Sequence, residues 1–227
     1  MILAAASLIT GRSASTTERG SPFSHEVVID ELEFTGSTDD AAWDIAASFG
    51  NEQQRLVLES SGGRSENRTG THEILLLYSH SITDQWDIHA GWRTDVHPTP
   101  HHNWLTLGSA GSLGRGVETE LRAYLGAGGR SSFTVQVGTE LPVSSRFSLV
   151  PDLEAIVYGK DDPQTAYGDG LTETILSMRL RYNTGHNISP YLGYYWSVLY
   201  GATADLARAM GGQARQSSFL LGIHARF

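Results

Sequence analysis

Residues 219–227, FLLGIHARF, alternate apolar side chains with small or polar ones up to a terminal phenylalanine. Successive side chains of a β-strand point to opposite faces of the sheet. One face of this segment therefore carries Phe219, Leu221, Ile223, Ala225 and Phe227. The other face carries Ser218, Leu220, Gly222, His224 and Arg226. We therefore expect a strand that is apolar on one side and wet on the other.

The same alternation continues through the rest of the chain, from Glu26 onward, in segments separated by turn residues. Between Trp86 and Arg93, for example, large apolar residues alternate with Asp, His, Gly and Arg. The pattern predicts twelve strands, near residues 26–35, 41–50, 54–61, 72–82, 84–97, 102–113, 116–126, 131–141, 145–160, 170–183, 187–200 and 215–227.

The connections between these segments differ in length. Those after even-numbered strands are short: around Asp84, and at 51–53, 113–116, 142–145 and 184–186. Several after odd-numbered strands are longer: 62–71, 98–101, 159–170 and 201–214. Outer-membrane barrels have an even strand number, short periplasmic turns and longer extracellular loops. The sequence therefore predicts an all-β fold, a transmembrane antiparallel up-and-down β-barrel of the outer-membrane type over residues 26–227.

A soluble lipocalin-like barrel is the alternative fold, and it would bury the apolar face instead. Charges of both signs on the polar face favour a wet lumen in which they pair. The residues that we expect to line it are Asp87, Arg93, Asp95, Glu118, Glu120, Arg122, Glu140, Glu154, Arg179 and Arg181. The apolar face has the composition of an aromatic girdle, with Trp43, Trp86, Trp92, Trp104, Tyr182 and Phe227.

Composition excludes several kinds of function. The 227 residues include no Cys, which rules out a disulfide scaffold and thiolate metal sites. The formal net charge of −9 and the thin spread of 16 Lys and Arg argue against nucleic-acid binding. Residues 1–25 begin with a short apolar stretch, followed by small residues at 13–15, and we interpret them as a partial signal peptide or a disordered N-terminus.

Five stretches resemble one bacterial family. They are GGRSENRTG at 62–70, WDIHAGWRTDVHPTPHHNWLTLG at 86–108, YGKDDPQTAYGDGLTETILSMRLRY at 158–182, SPYLGYYW at 189–196 and TADLARA at 203–209. Together they resemble the copper resistance protein B family, the outer-membrane proteins of copper-resistance operons. The resemblance implies a barrel that binds copper ions or passes them across the outer membrane, beside a periplasmic multicopper oxidase.

Histidine is the copper ligand that this chain offers. Its three methionines are scattered along the chain, so the thioethers that select Cu(I) are mostly missing, whereas imidazole suits Cu(II). We hypothesise an external copper-capture site made by His97, His101 and His102, if the proline-bearing loop folds back. His89 would be a second site deeper in the lumen. A solvated loop and a hydrogen-bonded pore lining are the alternatives.

Paired acids on the polar face allow two interpretations. Glu118 with Glu120, and Asp152 with Glu154, would draw cations into a pore. Alternatively they pair across the interior and hold the barrel closed, with Arg55, Arg93, Arg179 and Arg181 as partners.

Two other functions are weaker candidates. An outer-membrane hydrolase is disfavoured because the sequence contains no G-x-S-x-G motif. No histidine stands in register beside the available serines, Ser109, Ser112, Ser131 and Ser132. A general porin is disfavoured because free-diffusion porins have roughly 16–18 strands and twelve enclose a narrower lumen. We therefore expect a protein that is not an enzyme.

Overall fold

The computed structural model describes residues 23–65, 68–162 and 165–227, and these form a closed antiparallel barrel. Its strands are β1 Ser24–Thr35, β2 Ser37–Gly50, β3 Gln54–Ser65, β4 Arg68–Ser81, β5 Trp86–His97, β6 His102–Ser112, β7 Val117–Gly126, β8 Arg130–Thr139, β9 Leu141–Pro142, β10 Phe147–Tyr158, β11 Gly170–Tyr182, β12 Ile188–Leu199 and β13 Arg215–Arg226. The two-residue β9 only extends the turn before β10. The remaining twelve are the predicted strands, which confirms the fold. Of the N-terminal segment predicted over 1–25, residues 1–22 lie outside the described residues, and β1 already begins at Ser24.

Barrel closure follows from the pairing of the last strand with the first. β13 pairs with β1 through six residue pairs, and β10 pairs with both β8 and β11. Each long strand therefore has a neighbour on both sides. Backbone groups that are all paired between strands are the condition for a β structure to span hydrocarbon.

The barrel carries its apolar side chains on the outside. Leu76, Trp92 and Leu192 are each more than half exposed, at 54%, 51% and 56%. Charged side chains such as Glu120 and Arg122 are 3% and 2% exposed. This orientation excludes the lipocalin-like alternative and confirms a lipid-facing exterior around a charged interior.

One end of the barrel, the long-loop end, holds the connections after β1, β3, β5, β7, β10 and β12; the opposite end is the short-turn end. The predicted loop at 62–71 is wrong, because β3 runs to Ser65 and β4 begins at Arg68. Glycines hide the strand pattern here: Gly62 and Gly63 carry no side chain to alternate, and Gly62 lies against the Trp43 ring.

A short helix, α1 Gly201–Ala209, occupies the connection between β12 and β13, where the sequence predicted only a loop. The backbone N–H of Gly168 donates to the Thr203 hydroxyl at 2.8 Å, so α1 packs on the β10–β11 connection. No helix in the described ranges has the length and apolar character needed to cross a membrane.

The assignment of Trp104 to the outer girdle is also wrong. Trp104 is 2% exposed inside the barrel, where its indole N–H donates to Asp95 at 2.8 Å. It packs in a lumenal apolar cluster with Leu75, Leu77 and Tyr124, among others. β4 and β6 carry large apolar residues on both faces, so alternation alone could not orient them.

Candidate functional site

The middle of the lumen is crossed by an ion-pair network that we call the central bridge: Glu59, Glu120 and Arg122. The Arg122 guanidinium donates to both carboxylate oxygens of Glu59, at 2.6 and 2.9 Å, and its Nε donates to Glu120. Since three strands lie between β3 and β7 in the sheet, the pair of Arg122 with Glu59 reaches across the lumen.

A second network joins the far end of the chain to its first strand. Arg179 on β11 donates through Nε to Glu33 at 2.7 Å and through Nη2 to Glu31. Tyr191 also donates to Glu33, at 2.9 Å. The register of β1 shifts between Ile29 and Glu31. Such a bulge allows two consecutive residues to face one side, and Asp30 and Glu31 both line the lumen.

His89 lies beside the central bridge. Its Nε2 is 3.6 Å from a Glu120 carboxylate oxygen, and neither ring nitrogen makes a hydrogen bond with any described residue. Gly108 faces it across the strand pair, and a Cβ there would collide with the imidazole ring. The missing side chain of Gly108 therefore provides the space for His89.

A cavity of about 80 Å³, the outer cavity, lies on the long-loop side of the central bridge. Arg93 organises its charges, donating to Glu73 and to Asp95 at 2.6 Å each. The same guanidinium lies over the Tyr124 ring, 4.7 Å from the centroid. Glu154 also lines this cavity and makes no ion pair with these residues.

The β10–β11 connection turns inward above the outer cavity. Asp162 is 5% exposed, and its Oδ2 lies 3.3 Å from Nη1 of Arg130 and 3.7 Å from Nδ1 of His102. Tyr167 stacks on Tyr158 with ring centroids 4.5 Å apart, and burial raises the pKa of the Tyr167 hydroxyl well above its usual range. This connection therefore covers part of the cavity.

A cavity of about 380 Å³, the inner cavity, lies toward the short-turn end. Its carboxylates are Asp30, Glu31, Glu118, Glu140 and Asp152, and its arginines are Arg179, Arg181 and Arg226. Within the described part of the chain, no residue lines both this cavity and the outer one. On β7 the residues of the central bridge lie between Glu118 of the inner cavity and Tyr124 of the outer one.

The three histidines of the hypothesised capture site lie at the long-loop end in different surroundings. His97 lines the outer cavity opposite His72, His102 is buried against Asp162, and His101 is exposed in the connecting loop. Across residues 23–65, 68–162 and 165–227, no three His, Asp or Glu side chains are placed to hold one metal ion.

Nine of the ten residues predicted to line the lumen fall into three groups. Arg93, Asp95 and Glu154 line the outer cavity, and Glu118, Glu140, Arg179 and Arg181 line the inner cavity. Glu120 and Arg122 form part of the central bridge. Asp87 pairs with Arg55 at 2.6 Å.

The proposed partners of the paired acids are wrong. Arg55 pairs with Asp87, and Arg93 pairs with Glu73 and Asp95. Arg179 pairs with Glu31 and Glu33, and Arg181 pairs with Glu140. Asp152 instead accepts from the Gln136 amide, at 3.1 and 3.2 Å. An arginine pairs with an acid that lies at the same level along the barrel axis. That level depends on how the strands are staggered, and the alternation pattern does not predict the stagger.

Sequence analysis missed three of these acids. Glu31 and Glu33 flank Leu32 with the period of two that a strand predicts, so they could have been found. Glu73 precedes four apolar residues, and such a run hides which face is inward.

Comparison with known proteins agrees with this architecture. The family model described as copper resistance protein B precursor (CopB) matches residues 23–227. The chain is 32% identical over 209 residues to copper resistance protein B of Escherichia coli, covering 91% of this chain and 71% of that protein. It is also 32% identical over 202 residues to a copper resistance protein B homolog of Pseudomonas syringae pv. tomato, covering 88% and 69%.

Solved structures with a similar fold include two porins. The NanC porin superposes with a TM-score of 0.56 at 13% identity, over 89% of this chain and 99% of that one. The KdgM porin gives 0.52 at 12% identity, with coverage of 89% and 99%. At these identities the likeness concerns the fold alone. The closed barrel and its apolar exterior place the protein in the bacterial outer membrane, and the match over residues 23–227 shows that the chain belongs to the copper resistance protein B family.

Proposed function

We propose that this barrel contributes to copper resistance by binding copper ions in its lumen and passing them across the outer membrane. Membership of the copper resistance protein B family supports the role in resistance. The observation that carries the part concerning ions is the excess of carboxylates in both cavities.

That excess is present on both sides of the central bridge. Among the described residues, Glu73, Asp95 and Glu154 line the outer cavity together with one arginine, Arg93. The inner cavity is lined by five carboxylates against three arginines. A narrow lumen with low-dielectric walls concentrates the field of such charges, so it attracts cations and repels anions.

Histidines at the long-loop end support capture of Cu(II), for which imidazole is a suitable ligand. His97 and His102 line the outer cavity, and His101 is exposed in the loop that joins them. We propose that these three side chains take up the ion and that His89 meets it deeper in the lumen. A periplasmic multicopper oxidase is the proposed partner at the short-turn end.

The function is tested in cells by comparing a strain that carries the full-length gene with one that lacks it. We expect the gene to raise copper tolerance and to change the distribution of copper between periplasm and medium, measured separately. Equal tolerance and equal distribution would refute the proposal.

The capture residues are tested on purified protein by titrating the His97→Ala, His101→Ala, His102→Ala triple variant with Cu(II). We expect it to bind Cu(II) at least about tenfold more weakly than the wild type. His186→Ala is the matched control, since His186 is exposed in the turn between β11 and β12 at the opposite end. Unchanged affinity of the triple variant would remove the capture site.

A narrow general porin is the second candidate, because the similar solved structures include porins. Single-channel conductance separates the two functions. A copper conduit should show a current that depends on copper, whereas a porin should conduct other small ions equally well. The proposal assigns no enzymatic reaction, and a lipid-ester hydrolysis assay in detergent would detect one.

A further inference from the structure

Three buried acceptor oxygens form a row across neighbouring strands, and we call them the acceptor row. They are Oε2 of Glu120 on β7, Oε1 of Gln136 on β8 and Oε2 of Glu154 on β10. In the register, Glu120 lies opposite Gln136, and Gln136 lies opposite Glu154. Side chains directly opposite each other on one face have Cβ atoms about 4.5–5.5 Å apart, so the three groups are neighbours.

None of these oxygens accepts a hydrogen bond from any residue that the structure describes. The three side chains are 3%, 4% and 3% exposed, so bulk water does not satisfy them. Buried polar atoms in folded proteins are nearly always paired, and an unpaired one requires a specific explanation.

The surrounding side chains supply no donor. Gln136 directs its amide N–H group to Asp152, which leaves its carbonyl oxygen on the side away from that contact. Arg122 is already committed to Glu59 and to the other oxygen of Glu120. Two carboxylates and an amide oxygen are therefore neighbours, and Arg122, which is bonded to Glu120, does not reach Gln136 or Glu154 with a hydrogen bond.

The acceptor row, whose oxygens lack hydrogen-bond donors, lies between the two cavities. Glu154 lines the outer cavity, and Gln136 lines the inner cavity together with Asp152. The row thus crosses the boundary that the central bridge forms between them. A cation that leaves one cavity for the other passes oxygens that lack a donor.

We propose that the acceptor row is a cation-binding site at the constriction of the lumen, through which the ion moves between Glu154 and Asp152. The inference rests on the proposed function for the identity of the ion, Cu(II). Cu(II) accepts oxygen as well as nitrogen ligands, and the row offers two carboxylates and one amide oxygen. The ion keeps part of its water shell there.

The test measures Cu(II) binding and Cu(II) flux on the same protein. Binding is titrated on the purified full chain in detergent, and flux is measured in proteoliposomes loaded with a copper indicator. Glu154→Gln keeps the size of the side chain, removes one charge and supplies an amide donor to the row. We expect flux and lumenal affinity to fall by at least about tenfold.

Two further variants make the result specific to the row. Glu52→Gln carries the same chemical change in the exposed turn between β2 and β3 and lines neither cavity, so it should alter flux less than about twofold. The His97→Ala, His101→Ala, His102→Ala variant should lose the site at the long-loop end and keep the one in the lumen. Heat-modifiable migration on gels verifies that each variant has folded.

The outcomes distinguish this inference from the function on which it rests. Cu(II) binding that Glu154→Gln abolishes, without flux in the wild type, supports the site and refutes transport. Wild-type flux and binding that Glu154→Gln leaves unchanged overturn the site while transport stands. A wild-type protein whose lumen binds no Cu(II) overturns the acceptor row as a copper site, and a proton shared between Glu154 and Gln136 then explains the unpaired oxygens.

Discussion

Replacing Arg122 by methionine tests how far the central bridge stabilises the barrel. The Arg122 side chain is 3% exposed, and Glu59 and Glu120 are 10% and 3% exposed. Methionine has a similar length and no charge, so Arg122→Met leaves two carboxylates facing each other in a water-poor interior. Removing one partner of a buried ion pair costs about 3–5 kcal/mol, because the remaining charge has no compensation.

We expect the free energy of unfolding to fall by that amount. The three side chains are at least nine-tenths buried, so this energy is not lowered by solvent screening. The measurement is a guanidinium titration in detergent micelles or lipid vesicles, followed by tryptophan fluorescence, with heat-modifiable gel migration as the test of folding. Since about 1.4 kcal/mol is a factor of ten, the ratio of folded to unfolded protein should drop by roughly two to three and a half orders of magnitude.

Two controls separate the loss of charge pairing from other effects. Arg208→Met removes an arginine from α1 whose side chain is 60% exposed and pairs with Asp205, which is 78% exposed, and it should change stability by less than about 0.5 kcal/mol. The triple variant Glu59→Gln, Glu120→Gln, Arg122→Met leaves no charge uncompensated and should recover most of the loss. A loss below about 1 kcal/mol in Arg122→Met would refute the reasoning.

Three other features of the barrel give further predictions. Leu77→Ala opens a hole in the lumenal apolar cluster and should lower the free energy of unfolding by about 2–5 kcal/mol, whereas the lipid-facing Leu76→Ala should cost less; equal losses in the same titration would contradict the assigned faces. In single-tryptophan variants, brominated lipids should quench the fluorescence of Trp92 strongly and that of Trp104 weakly; the reverse order would contradict the assignment of Trp104 to the lumen and Trp92 to the lipid-facing side. Asp162→Asn removes the charge that holds the β10–β11 connection over the outer cavity, so limited proteolysis of that connection should be faster than in the wild type.

The fold was largely predictable because lipid and water impose opposite demands on the two faces of a strand. Every strand with a clear alternation, such as β5 with Trp86 and Asp87 at its start, lies within a few residues of its predicted place. The errors occur where that contrast disappears. Glycines at 62–63 erase it, and β4 and β6 place Leu75 and Trp104 inside as part of an apolar cluster.

The candidate site was less predictable, because it depends on how strands are staggered around the ring. Alternation assigns Glu154 and Arg122 to the polar face of their strands, but it contains no information about which acid meets which arginine. The bulge in β1 that turns both Asp30 and Glu31 inward is a local change of register. Gln136 is important only because its neighbours across the strands are acids, and this relation exists only in the closed barrel.

The contacts of Arg179 also constrain the order in which the barrel assembles. Its partners Glu33 and Glu31 lie 146 and 148 residues earlier in the chain, and the hydrogen bonds between β1 and β13 join positions that are still further apart. Contacts between such distant segments form late, since the entropy of a very large loop must be lost first. Until β11 arrives, Glu31 and Glu33 lack the arginine that pairs with them, and until β13 arrives the edge of β1 stays open. Insertion of the ring into lipid and dehydration of its charges are therefore coupled to one final event, the arrival of the last three strands.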